Sequence, residues 1–292
     1  MRVTITGGTG RLGSLLVNRL RERGDEVTIL SRTRGDVRWD ASTGPAPAEA
    51  LAGRDAVVHL AGEDIAQRWN DDALKRMRES RERGTRNLVE GLRAAEPRPK
   101  VLVSSSAVGY YGSRHDPVDE DAPPGDDVLA GICVAWEREA ERAEGLGMRV
   151  VRVRTGVVLD RHGGALKKML LPFRLGVGGP VAGGRQPLPW IHVDDVIGIY
   201  LAAIDDERWS GPVNATAPRP VTNREFSRAL GRTLRRPAAL PVPALALRLL
   251  YGEMAFLVTD GQNAVPRRAT ELGYRYEHPE LDEALRSALE HT

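Results

Sequence analysis

The side chains with the greatest chemical potential lie in short, separate stretches of the sequence. Within Thr6-Gly7-Gly8-Thr9-Gly10-Arg11-Leu12-Gly13, the glycines satisfy Gly-x-Gly-x-x-Gly and Gly-x-x-Gly-x-x-Gly at once. Such a loop lets the chain turn sharply and brings backbone N–H groups close to a diphosphate. Ser31-Arg32-Thr33-Arg34 offers hydroxyls and guanidinium forks, which suit a further phosphate. Ser104-Ser105-Ser106 and, just beyond, Tyr110 and Tyr111 supply hydroxyls, and a phenol can serve as a general acid. His192, ahead of Asp194 and Asp195, is a second proton-transfer candidate, because an imidazole titrates near neutral pH. Packing over a bound molecule is the competing role for the tyrosines, and orienting the loop before a helix is the competing role for His192.

These groups need elements to hold them. Val3-Thr4-Ile5 reads as a strand and Ser14 to Leu20, with leucines at helical spacing, as a helix, so the glycines form a strand-to-helix turn. The helix N-terminus, with unpaired N–H groups and a positive dipole end, then faces the phosphates. Glu26 to Leu30 reads as a second, parallel strand. A carboxylate after it would hold the ribose 2′-hydroxyl of NAD, and a basic residue the 2′-phosphate of NADP. No carboxylate occurs before Asp36, so Ser31 and Arg32 favour NADP(H).

Asp36 to Asp40 reads as a short third strand, and Asp55 to Gly62 as a buried one. The small residues Ala61 and Gly62 after Leu60 leave room for a cofactor to cross the sheet edge, while His59, in mid-strand, reads as a core residue. The helix from Asn70 to Ala95 carries Arg81, a candidate phosphate or ribose contact. Val101 to Ser106 delivers its hydroxyls to the carboxyl edge, where open parallel sheets bind ligands. Further helices are expected over Leu129 to Glu144, Asp194 to Ile204 (capped by Asp194), Thr222 to Leu234 (a Thr222/Glu225 capping box), Pro241 to Leu250 and Pro279 to Leu289. Glycines recur through Arg161 to Pro189, as in a mobile lid. The expected division is a dinucleotide-binding domain over 1–160, completed by about 191–217, and a smaller, mostly helical substrate lobe over 161–190 and 218–292.

Composition excludes several classes. The 292 residues suffice for a large core, and Lys+Arg 42 against Asp+Glu 40 leaves a net charge of +2, which gives no electrostatic case for nucleic acid or a membrane. One cysteine, Cys133, makes no internal disulfide, so a cytoplasmic setting is expected. Leu240 to Val258, the most apolar segment, is broken by Arg248 and Glu253, which argues against a membrane span, and no targeting segment is read before the first strand.

Taken together, the glycine loop, His59-Leu60-Ala61-Gly62, Ser104 to Gly112 and Trp190-Ile191-His192-Val193-Asp194-Asp195 resemble the extended short-chain dehydrogenase/reductases. Gly62-Glu63-Asp64-Ile65, Ser80-Arg81, Arg154 to Leu159, Leu171 to Pro180 and Asn214 to Pro218 resemble, more narrowly, the NADP-binding epimerase-like proteins with an appended C-terminal domain. The resemblance spans nearly the whole chain. It implies an α/β fold with a Rossmann-like, doubly wound parallel sheet, and NADP(H) held by Thr9 to Gly13, Ser31, Arg32, Leu60, Ala61, Arg81 and Val158. It further implies Ser106 near the reacting carbon with Tyr110 and Tyr111 close by.

One departure stands out. The superfamily's chemistry uses a Tyr and, four residues on, a Lys that lowers its pKa; here those positions read as Cys133 and Glu137. Cys133 reads as a buried apolar residue, and the acid falls to Ser106, Tyr110, Tyr111 or His192. The leading expectation is an NADP(H)-dependent oxidoreductase or epimerase-like enzyme acting on a small polar substrate, a carbonyl compound or a nucleotide sugar, with a homodimer as its expected association. The alternative is a non-catalytic NADP(H)-binding redox sensor, and a Ser106/His192 hydrolase ranks third for want of a nucleophile elbow. Replacing Arg32 by Glu should weaken NADPH binding at least tenfold more than NADH binding in fluorescence titrations; equal losses would overturn the 2′-phosphate assignment.

Overall fold

The computed structural model describes residues 1–65, 67–242 and 259–290. The helix expected over Pro241 to Leu250, and most of the apolar segment Leu240 to Val258, lie outside the described residues. Seven strands form one sheet: β1 (Arg2–Thr6), β2 (Glu26–Ser31), β3 (Val37–Arg38), β4 (Ala56–His59), β5 (Val101–Ala107), β6 (Arg149–Thr155) and β7 (Gly211–Ala215). They run in the order β3-β2-β1-β4-β5-β6-β7, and every neighbouring pair is parallel.

Alternation along the strands explains the two covered faces. Val3, Ile5, Val58, Val103, Val151 and Val213 point to one side, against Leu16, Val17 and Leu20 of helix α1 (Arg11–Glu22) and Ile197, Ile199 and Tyr200 of the Val193–Asp205 helix. Val57, Leu102 and Val150 point to the other, against Leu88, Val89 and Leu92 of α2 (Asp71–Ala94) and Ala140 of α3 (Val128–Glu141). This is the expected doubly wound arrangement.

A separate apolar cluster joins α4 (Gly164–Arg174), through Leu166, Leu170 and Phe173, to Trp190, to Phe226 and Leu230 of the Asn223–Leu234 helix, and to Leu285 of the Leu281–Glu290 helix. With α5 naming Val193–Asp205 and α6 naming Asn223–Leu234, this cluster forms beside the sheet. Asp195 of α5 fastens the C-terminal segment to it: the buried carboxylate accepts the N–H groups of Glu277 at 2.8 Å and His278 at 3.1 Å.

Two local expectations change. The side chain that caps α5 is His192, whose Nδ1 accepts the Asp194 N–H at 3.2 Å, and Asp194 lies inside the first turn. The third strand shrinks to Val37–Arg38, because the Asp36 carboxylate folds back to accept the Ile29 N–H at 2.8 Å. The Thr222/Glu225 capping box opens α6 as expected. No helix among the described residues is long and apolar enough to cross a membrane.

His59 is a core residue. It is fully buried, with Nδ1 2.6 Å from Thr6 Oγ1 and Nε2 3.0 Å from Thr85 Oγ1. Burial, helped by the Arg81 charge, pushes its pKa down from 6.5 to about 4. The unfolded chain therefore binds the proton more readily, and the stability His59 contributes above pH 6.5 is lost as pH falls toward 4. At the acid end the loss is about 3 kcal/mol from this residue alone. Urea denaturation from pH 7 to 4 should show a flatter pH dependence in His59→Gln than in the wild type; parallel profiles would assign the acid sensitivity to other groups.

Candidate functional site

Strand register brings the predicted phosphate-binding residues to one edge. Thr6 pairs with His59, so the turns after β1 and β4 lie side by side. Gly7 has φ +73°, and a Cβ on it would stand 2.7 Å from the Ala61 nitrogen. A Cβ on Gly13 would stand 2.2 Å from the Gly7 carbonyl oxygen. A side chain at Gly7 would push the loop off the turn after β4, and one at Gly13 would push α1 off the loop. Among the described residues no side chain caps α1 at Gly10, so its first-turn N–H groups and positive end are open to an anion. A diphosphate-bearing cofactor fits this cradle of close-packed backbone.

The remaining cofactor candidates divide by how much of their side chain is committed. Ser31 ends β2, and Arg32 beyond it is exposed, while Asp36 is occupied on Ile29 and presents no carboxylate there. Arg11 directs its guanidinium to Asp160, with Nε–Oδ2 2.6 Å and Nη2–Oδ1 3.1 Å, which leaves Arg11 its backbone N–H for the anion. Burial acts to raise Asp160, but Arg11 and the His162 N–H outweigh it and hold the carboxyl below its ordinary range. Leu60 and Ala61 flank Gly7. Arg81 of α2 passes beneath Gly62, lies 5.0 Å from the Trp136 ring centre and donates to the Met77 carbonyl, and burial lowers its pKa. Val158 sits in a short strand, Val157–Leu159, paired with Ile191.

At the far end of β5 the structure builds a buried polar chain around Glu137. Ser106 Oγ donates to Glu137 Oε1 at 2.6 Å. Arg154 of β6, directly across from Ser106 in register, holds both carboxylate oxygens, Nε–Oε1 2.8 Å and Nη2–Oε2 2.8 Å. The other guanidinium nitrogen, Nη1, donates to the Tyr111 hydroxyl at 2.9 Å, and that hydroxyl donates to Asn214 Oδ1 at 2.7 Å. Ser106, Glu137, Arg154, Tyr111 and Asn214 are all buried. Burial, relieved only in part by Arg154, pushes Tyr111 up to about 12. Cys133 is also buried and pushed up to about 12, first by desolvation and then by Glu137, which makes it an apolar neighbour as expected.

The predicted catalytic residues are therefore not equivalent. Ser106 stands at the carboxyl edge with its proton directed to a carboxylate. Tyr111 is fully enclosed, with both hydroxyl functions taken by protein groups. Tyr110 is half-buried, with the Arg154 guanidinium 3.5 Å above its ring, and packs edge-on to Tyr111. His192 is buried at the start of α5, its ring 3.9 Å from that of His278 and away from the serine chain. Sequence reasoning identified Glu137 only as a departure, and gave Arg154, Asn214 and Glu120 no role. Glu120, buried and raised by desolvation, accepts the Asn214 N–H at 3.0 Å. The available signal was a charge inside an apolar element: Glu137 after Ile132-Cys133-Val134-Ala135-Trp136, and Arg154 in a valine-rich strand.

Comparison with known proteins agrees with this geometry. Residues 3–214 match the NAD dependent epimerase/dehydratase family, and residues 242–288 match a domain of unknown function, DUF1731. The chain belongs to the NAD dependent epimerase/dehydratase family. Within that family it is 43% identical over 298 residues to the bovine epimerase family protein SDR39U1, covering 99% of this chain and 100% of that one. It is 39% identical to the chloroplastic homologue of Arabidopsis thaliana, over 99% of this chain and 87% of that protein. The crystal structure of human SDR39U1 (isoform 2) with NADPH superposes with a TM-score of 0.92 at 39% identity, covering 100% of both chains.

The family frame makes the ion pair the feature to test. Removing one partner of a buried pair strands the other charge, at a cost of about 3–5 kcal/mol. Glu137→Gln should lower the urea-derived stability by that amount, and a loss below about 1 kcal/mol would show that Arg154 finds another partner.

Proposed function

We propose that this chain is a cytoplasmic NADP(H)-dependent oxidoreductase or epimerase-like enzyme acting on a small polar carbonyl or alcohol, with the serine-carboxylate pair Ser106–Glu137 in place of a tyrosine-lysine pair. The cofactor assignment is supported by the cradle at Gly7 to Gly13, the absence of a free carboxylate at the end of β2, and the relative crystallised with NADPH. Bound NADP(H) supplies hydride exchange at its nicotinamide. Residues 161–190 and 218–292 serve, on this reading, as the substrate lobe.

The observation that carries the chemistry is the 2.6 Å bond from Ser106 Oγ to a carboxylate fixed by Arg154. A serine whose hydroxyl hydrogen is directed at Glu137 keeps its lone pairs as acceptors. It can accept the hydrogen of a substrate hydroxyl while its own proton moves to Glu137; the same path run backward protonates a carbonyl oxygen. Tyr111 and Asn214 fix Arg154, so they position the relay rather than meet substrate. Tyr110, with its ring under Arg154, covers the chain.

The closed network also favours a second reading, a protein that binds NADP(H) and reports redox state without turnover, because every member of the chain already has a partner. One experiment separates the two. NADPH consumption should be measured against a panel of small carbonyl compounds, including nucleotide sugars. Turnover that falls at least a hundredfold in Ser106→Ala with NADPH affinity unchanged supports the relay. Full activity in Ser106→Ala would remove the serine from the chemistry, and NADPH binding with no turnover across the panel would support the sensor.

A further inference from the structure

Along α6, a groove of about 700 Å³ is lined by Arg224, Arg228, Arg232, Arg235 and Arg236, with proline and alanine residues among its walls. None of the residues assigned above to the cofactor or to the serine chain lines it. Arg224, Arg228 and Arg232 recur every four residues, so they form one stripe along the helix, about 12 Å from end to end. Arg235 and Arg236 continue it past the C-terminus.

Two features of this stripe are unfavourable to the isolated fold. Like charges four apart on a helix repel. Among the described residues only Arg232 meets a carboxylate at hydrogen-bond distance, Asp282 at 2.8 Å, while Arg224 donates to the Gly183 carbonyl. Glu225, the nearest acid on α6, is taken by its capping box with Thr222. Arg235 also holds the left-handed C-cap position, φ 52° and ψ 45°, where glycine or asparagine is the residue without steric penalty. A cation is thus kept at a backbone position that disfavours it, facing a groove with an excess of positive charge.

We propose that this groove is a binding site for a small molecule carrying two or more phosphate groups. Planar guanidinium forks pair two-to-two with phosphate oxygens, and their row supplies several such contacts within the length of one ligand. The volume is that of a small-molecule site, and its proline and alanine walls offer apolar contact beside the charges. The chain as a whole carries a net charge of only +2, so the row of arginines along α6 is a local excess, and the small volume of the groove suits a compact ligand.

The test is calorimetric titration of the full chain, saturated with NADPH, with inorganic tripolyphosphate, and in parallel with hexaglutamate and a short single-stranded oligonucleotide. Tripolyphosphate should bind with marked salt sensitivity, more tightly than either polymer. Arg228→Glu combined with Arg236→Glu should weaken it at least tenfold and leave NADPH affinity within twofold. Arg235→Gly provides the control for folding: it removes one charge and relieves the left-handed residue, so it should raise the Tm while weakening tripolyphosphate. No binding at millimolar tripolyphosphate, binding indifferent to these substitutions, or tighter binding of hexaglutamate or the oligonucleotide would each overturn the proposal.

Discussion

The interaction on which the rest of the site depends is the buried pair between Glu137 and Arg154. A carboxylate without water is strongly disfavoured unless its oxygens are bonded, and here both are, by Arg154, with Ser106 as a third donor. The guanidinium must in turn be satisfied, which draws in the Tyr111 hydroxyl, the Glu120 carbonyl and the Tyr110 ring. Tyr111 then engages Asn214, and the Asn214 N–H engages the Glu120 carboxylate. One buried charge thus fixes the relative placement of β5, β6, β7, α3 and the turn at Tyr110 and Tyr111. Each bond in the chain is needed because the one before it leaves a polar group in the interior.

The cofactor edge is built on the opposite logic. There the essential property is the lack of side chains: Gly7 and Gly13 let the β1 turn, the β4 turn and α1 approach more closely than any Cβ would allow. Backbone N–H groups remain available because, among the described residues, no side chain caps them. The two ends of the site therefore differ in how they can change. A substitution in the loop acts through steric exclusion, whereas one in the serine chain acts by orphaning a charge.

This difference also explains what could be read from the sequence. The glycine loop, the strand ends at Leu60 to Gly62 and Ser104 to Ser106, and the capping box of α6 are local patterns, in which residue type and spacing determine the geometry. The serine chain is not local. Ser106, Glu137, Arg154 and Asn214 come from separate elements: the parallel register of β5, β6 and β7 aligns Ser106, Arg154 and Asn214, and the packing of α3 on the sheet brings Glu137 to them. The exchange of α5's cap from Asp194 to His192 is the same lesson on a small scale, since either residue type could accept the N–H and packing against His278 selects the imidazole. The near-equal totals of basic and acidic residues likewise concealed the arginine stripe on α6, because net charge says nothing about where charges stand.

The sign of the charge beside Ser106 has a consequence for the proposed chemistry. A lysine at that helix position would bring a net positive charge, which opposes the cationic, oxidised nicotinamide. Glu137 with Arg154, flanked by Arg152 whose Nη1 lies 3.8 Å from Glu137 Oε2, forms a dipole whose negative end faces Ser106. In a low-dielectric interior such a dipole acts over several ångströms with little screening. In the proposed enzyme it would, relative to a lysine, favour the oxidised cofactor and with it reduction of a bound carbonyl. The enclosed tyrosine, Tyr111, is raised to about 12 by burial even with Arg154 bonded to its hydroxyl, and the hydroxyl that meets the carboxylate is the serine. In the proposed chemistry the loss of the tyrosine and the loss of the lysine are one change: a carboxylate in place of the cation would make a phenol beside it less acidic, and the group placed to hand its proton to that carboxylate is the serine hydroxyl.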